Sequence, residues 1–349
     1  YNEAIRETVM YILHESMGLR LPRDMVSEEV IYLFKRSGGF NNDWDIAYSV
    51  LLYLFAKLPA STRATLGELV NSNSLETMDD PERRLEYLQC QMRRKSAPLN
   101  PGVMIKDLDV ELRGFARDAD ISGIERLEAQ LRREDNEGVC KAVKRLLRYP
   151  GPVGESLLTT VFEEVFCGQG LFRSVYRVEA RFHRGPGLIE GERKILSPKT
   201  LEHLASILKG GRFGIASGRP LLSARYTLGE LLSSFVSEAM VFLDAVEEAE
   251  MRMGTRLKKP HPFSLTKAAE GLRPFEAALY VGDSMGDIIM VEKANRVLTR
   301  FVSAGVYRHK DLGDRVIQDF LEAEADLVLP SVNELPLALE LIKEGKICG

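Results

Sequence analysis

Residues 277–290 read AALYVGDSMGDIIM, and the reading of this stretch decides the fold. Ala278, Leu279, Tyr280 and Val281 form a short apolar run of the kind that makes an inner parallel strand. Gly282 breaks the run. Asp283 and Asp287 bracket a turn, and Ile288, Ile289 and Met290 resume an apolar pattern that starts a helix. Two carboxylates placed in this way at the C-terminal end of a strand converge on the crevice where open α/β sheets bind ligands. Oxygen ligands suit a hard cation such as Mg²⁺, which needs one or two carboxylates together with substrate phosphate. A competing reading makes Asp283 the cap of the helix and puts Asp287 in its first turn, beside the positive end of the dipole. The stretch by itself leaves both readings open.

Working outward, strand and helix patterns alternate from about residue 188 to the C-terminus, which implies βαβ units and a parallel sheet. A helix is predicted over 197–208, with Pro198 in its first turn, and a strand over 212–216. Ser217-Gly218-Arg219-Pro220 ends that strand, and a helix over 221–235 follows. Then come a strand over 240–243, a helix over 245–253, the loop Lys258-Lys259-Pro260-His261-Pro262 and a helix over 263–270. Strands over 301–307 and 325–329 and a helix over 333–343 complete the pattern. Ser217, Lys259, Asp283 and Asp287 therefore fall at or near successive strand ends. The Ser217 hydroxyl and the backbone N–H groups of Gly218 and Arg219 can hold phosphoryl oxygens. Lys259 can neutralise the charge that spreads over those oxygens, and the two carboxylates can hold a metal that does the same. The set suits phosphoryl transfer but contains no nucleophile.

The first half of the chain reads differently. Residues 1–58 are helical in pattern, with breaks at Gly18 and at Gly38-Gly39. Pro22, Arg23 and Asp24 are expected to begin a second helix. Asn41 or Asn42 can cap a third, and Asp43 and Asp45 suit its first turn. Trp44, the single tryptophan, belongs to this GGFNNDW turn. The local pattern favours a cap beside a buried tryptophan over a substrate-contacting turn. Residues 60–155 are charged and helical, with an apolar stripe at Ile121, Ile124, Leu127 and Leu131. The basic groups Arg93-Arg94-Lys95 and Lys141, Lys144, Arg145 and Arg148 read as solvated helix faces.

The 349 residues suffice for two domains, and a hydrophobic fraction of 45% with a charged fraction of 28% is ordinary for a globular protein. A net charge of −4 argues against nonspecific nucleic-acid binding. Cys90, Cys140, Cys167 and Cys348 are widely separated, which suggests neither zinc nor a disulfide framework and fits a reducing cytoplasm. No apolar run reaches the length of a membrane span.

The order ASGRP, KPHP, VGDSMGD resembles motifs II, III and IV of the haloacid dehalogenase superfamily. The resemblance implies that Ser217 is the motif II hydroxyl, Lys259 (rather than Lys258) the motif III lysine, and Asp283 and Asp287 the motif IV metal acids. It covers the chain from about residue 188 onward. Tyr1-Asn2-Glu3-Ala4-Ile5, the GGFNNDW turn and Gly187-Leu188-Ile189 further resemble a little-characterised group of subfamily I phosphatases with an α-helical cap. The expected fold is thus a Rossmann-like parallel sheet over residues 188–349 with a large helical cap over 1–187, of which 60–155 is an enlargement. The resemblance implies Mg²⁺-dependent hydrolysis of a phosphate monoester of a small metabolite. Gly218, Arg219, Asn42, Asp43 and Trp44 are expected to contact the substrate. Binding without turnover is the alternative, as is phosphomutase, phosphonatase or dehalogenase chemistry. The resemblance also places motif I, a DxD with the nucleophilic aspartate, before Tyr1. Within the chain, Asp107-Leu108-Asp109 after Val103-Met104-Ile105 is a rival DxD, disfavoured because Lys106 interrupts its strand.

Overall fold

The computed structural model describes the chain apart from residues 71–74, 76–77, 96–106, 135, 209–210, 298–300, 308–311 and 347–349. The chain divides into two compact units, Tyr1–Gly191 and Glu192–Gly349. Among the described residues, no helix is long and apolar enough to cross a membrane.

The first unit is helical. Its helices are α1 (Asn2–Met17), α2 (Glu28–Arg36), α3 (Asp43–Ala56), α4 (Ala60–Val70), α5 (Pro81–Lys95), α6 (Leu108–Arg117), α7 (Ile124–Arg133), α8 (Glu137–Leu147) and α9 (Leu157–Tyr176). Every residue of α3 from Ile46 to Ala56 is buried, so this helix forms the centre of the unit, as an all-round apolar helix must. Helices α1, α8 and α9 pack on it. The second helix starts later than the sequence suggests. Arg23–Met25 is a single 3₁₀ turn, and the Ser27 side chain accepts the Val30 N–H to cap α2. The apolar stripe is shorter than expected: Leu127 and Leu131 are buried, while Ile121 lies exposed in the turn before α7.

The rival DxD opens a helix. Asp107 takes a left-handed conformation (φ 63°) as the N-cap of α6, and Asp109 sits in its first turn, ion-paired with Arg113 at 2.5 Å. Val103, Met104 and Ile105 lie outside the described residues. Several of the basic groups are matched by acids: Lys141 with Glu137 at 2.6 Å, Lys144 with Glu128 at 3.3 Å and Arg148 with Asp79 at 2.7 Å. Helix α9 breaks at Gly168 (φ 69°, ψ 164°), where the returning chain comes against it. A Cβ on Gly168 would lie 2.4 Å from the Gly187 nitrogen, so neither that φ nor that contact tolerates a side chain.

The second unit is α/β. In order it contains α10 (Pro198–Ile207), β1 (Ile215–Ala216), α11 (Leu221–Leu228), β2 (Met240–Val241), α12 (Leu243–Met253), α13 (Phe263–Leu272), β3 (Ala278–Gly282), α14 (Met285–Asn295), β4 (Phe301–Val306), α15 (Gly313–Glu322), β5 (Leu327–Leu329) and α16 (Leu335–Lys343). All pairing is parallel, as the alternation of strand and helix requires. The single sheet expected from sequence is two ladders, β1–β2 and β3–β4–β5. Strands β1 and β2 are each two residues long, shorter than the apolar runs that announce them. The helix expected over 221–235 stops at Leu228. Gly229 (φ 57°, ψ −129°) ends it, and 3₁₀ turns over Gly229–Ser234 follow. Strand β3 is half-buried along its whole length, and so is β1.

Candidate functional site

The site is built where β3 turns into α14. Ser284 is the N-cap of α14 and Asp287 its third residue, and the two form a capping box. Asp287 Oδ2 accepts the Ser284 hydroxyl at 2.7 Å and the backbone N–H groups of Ser284 and Asp283 at 3.1 and 3.2 Å. This fold-back brings the Asp287 side chain against Gly282, where a Cβ would lie 2.3 Å from Asp287 Cβ. Asp287 Oδ1 receives the Lys259 ammonium at 2.7 Å and the Tyr280 hydroxyl at 3.0 Å. Lys259 Nζ also donates to the Tyr280 oxygen at 2.7 Å. The Tyr280 hydroxyl in turn lies 3.1 Å from the carbonyl oxygen of Ala216, at the end of β1. The phenol has one proton, so it donates either to Asp287 or to Ala216.

The charges of the cluster hold one another. Asp287 is 3% exposed. Burial pushes its carboxyl up, but the Lys259 ammonium and the hydrogen bonds outweigh this and keep it below the usual carboxylate range. Burial likewise pulls Lys259 down, while Asp287 and Tyr280 hold the ammonium above the ordinary lysine value. Burial and the Asp287 charge raise the Tyr280 phenol. Lys258 takes no part. Its ammonium pairs with Glu247 of α12 at 2.6 Å.

Asp283 differs from Asp287 in being exposed at the strand end. The capping role that the sequence offered to Asp283 belongs to Ser284 and Asp287. Ser217 stands just past β1, its N–H donating to the Val241 carbonyl at 2.9 Å. Its Oγ accepts the Arg219 N–H at 3.2 Å, so that backbone donor, expected to meet a ligand, is engaged locally. The Arg219 guanidinium binds Glu192 at 2.5 Å and Thr227 at 3.1 Å. Gly218 is exposed between them. Of the residues singled out in the sequence, Lys259, Asp283 and Asp287 thus share one cluster, joined through Tyr280 to the backbone beside Ser217.

Asn42, Asp43 and Trp44 belong to the helical unit and are engaged within it. Asn42 Oδ1 accepts the Trp44 N–H at 3.0 Å as the cap of α3. Asp43 pairs with Lys35 at 2.8 Å, and the Trp44 indole N–H donates to Glu163 at 2.9 Å. Tyr280, Ser284 and Glu192 were not singled out from sequence. Tyr280 was visible as the polar tip in an apolar strand, and Ser284-x-x-Asp287 as a capping signature. Nothing in sequence marked Glu192. Among the described residues, no group of three or more His, Cys, Asp or Glu side chains is gathered as a metal site.

No protein-family model matches the chain, and no curated protein does. The chain is similar to an X-ray structure of a Northeast Structural Genomics Consortium target, with a TM-score of 0.62 and 20% sequence identity, covering 98% of this chain and 95% of that one. At this identity the likeness concerns the fold alone.

Proposed function

We propose that the chain carries the phosphate-binding and metal-binding part of a haloacid dehalogenase-type phosphatase acting on the phosphate monoester of a small metabolite. The observation that carries this reading is the buried Lys259–Asp287 pair, tied through Tyr280 to Ala216. It gathers the segments around 217, 259 and 283 at the carboxyl ends of parallel strands, where such sheets bind ligands. In this reading Ser217 and the Gly218 N–H hold phosphoryl oxygens, and Lys259 neutralises their charge as it grows. Asp287 fixes the direction of the ammonium. The donor types suit a hard divalent cation: Asp283 lies exposed at the strand end, and Asp287 binds only by giving up one of its present hydrogen bonds. Mg²⁺ held there with substrate phosphate would stabilise phosphoryl charge.

A phosphatase of this class uses an aspartate nucleophile: a carboxylate oxygen bonds to phosphorus as the ester oxygen leaves, protonated by a general acid, and water then cleaves the aspartyl-phosphate. None of Ser217, Lys259, Asp283 and Asp287 is assigned that role here. In this reading the helical unit is the cap, with residues 60–155 its enlargement.

The test is Mg²⁺-dependent hydrolysis of an aryl phosphate by the protein. Asp283→Asn, at an exposed position, should lower kcat by roughly 10²-fold or more with an unchanged melting temperature. Unchanged turnover and Mg²⁺ affinity in that variant would overturn the assignment. Saturable binding of inorganic phosphate with no turnover would assign a binding module instead.

A further inference from the structure

A cavity of about 290 Å³ lies within the helical unit, remote in sequence from the phosphate motifs. Val161 and Val165 of α9 form its apolar floor, and Tyr11 of α1 and Phe182 its aromatic wall. The two rings meet edge to face, with centroids 6.1 Å apart and planes at 73°. Glu7 and His183 stand at the lining as well. Small-molecule sites are commonly apolar hollows of about this size with a few placed polar groups.

Carboxyl groups flank the cavity. Glu164 lies between the two floor valines in sequence and is 0% exposed. Its Oε2 accepts the backbone N–H groups of Arg181, Phe182 and His183 at 2.9, 2.6 and 2.9 Å, whereas its Oε1 is buried with no hydrogen-bond partner. Burial, reinforced by the charges of Glu15, Glu164 and Glu82, pushes the Tyr11 phenol up to about 12. Glu7 adds a further carboxylate, shared with Arg23. An anionic ligand would find its natural donors taken: the three N–H groups beside the cavity are spent on Glu164, and the His183 Nε2 lies 3.0 Å from the Pro186 carbonyl.

We propose that this cavity binds a small organic ammonium ion, its head against Tyr11 and Phe182 in the field of Glu7 and Glu164. Aromatic faces combined with nearby carboxylates favour such cations over neutral molecules of equal shape. The proposal is independent of the phosphatase reading.

The probes are choline and dimethylbutanol, its uncharged carbon isostere, titrated against the full chain by calorimetry and ligand-observed NMR. Choline should bind saturably, about fivefold or more tighter than the isostere, and Tyr11→Leu, Phe182→Leu and Glu7→Gln should each weaken it by about three- to tenfold. A melting curve for each variant reports folding. Phe182→Leu and Glu7→Gln, both at partly exposed positions, carry the test if Tyr11→Leu unfolds. Equal affinity for the two probes would reduce the cavity to an apolar hollow and overturn the proposal. So would an absence of saturable choline binding, or choline binding unchanged in the folded variants.

Discussion

Glu163 shows how one side chain sets a pH response. It is 5% exposed on α9, its Oε1 accepting the Trp44 indole N–H at 2.9 Å and its Oε2 facing Cys167 Sγ at 3.6 Å. Burial pushes its carboxyl up to about 6, against the Trp44 and Cys167 hydrogen bonds that favour the anion. The folded state therefore holds this proton more tightly than the unfolded one. The stabilising contribution is fully present below the unfolded value of 4.5 and is lost as pH rises through about 6. Glu163→Gln should accordingly be more stable than the parent at neutral pH, by up to about 2 kcal/mol. The gain should shrink toward nothing as the solution is acidified below about pH 4.5. Urea melts of both proteins across that range measure it, and a pH-independent difference would show that Glu163 is ionised throughout. Sequence could not reveal this, because the burial of Glu163 depends on where Trp44 of α3 meets α9.

At the scale of the element, the turn from β3 into α14 is over-determined. Gly282, Ser284 and Asp287 act together: the capping box closes α14, and the same carboxylate anchors Lys259. Gly282→Ala places a methyl group 2.3 Å from Asp287 Cβ and 2.4 Å from its Cγ, with no room for either to yield while the box holds. We expect a loss of about 1–3 kcal/mol, the usual cost of overpacking. Ser284→Ala removes the hydroxyl that caps α14 and should cost about 1 kcal/mol. Thermal melts measure both. A Gly282→Ala protein as stable as the parent would mean that Asp287 swings out of the box at little cost. Helix capping and orientation of the lysine use different oxygens of Asp287.

For the whole molecule, the division of the β-structure matters most. Among the described residues, strands β1 and β3 each have one paired neighbour, and they meet across the Tyr280–Ala216 hydrogen bond. Tyr280→Phe removes that link and should cost about 1 kcal/mol, read by thermal melts. An unchanged melting temperature would show that the two ladders do not depend on it. The sequence by itself determined the alternation of strand and helix after residue 188, the helical character before it and a cap at Asn41 or Asn42, because these depend on local periodicity and on side chains bonding their own backbone. It also ranked Lys259 above Lys258, but on a motif and without their partners. Only the tertiary structure decided that Tyr280 links Lys259 to Ala216, that Glu192 holds Arg219, that the sheet is two ladders and that Glu164 lies buried beside a cavity. Each of these joins residues distant in sequence, and no local pattern encodes which buried charge meets which partner.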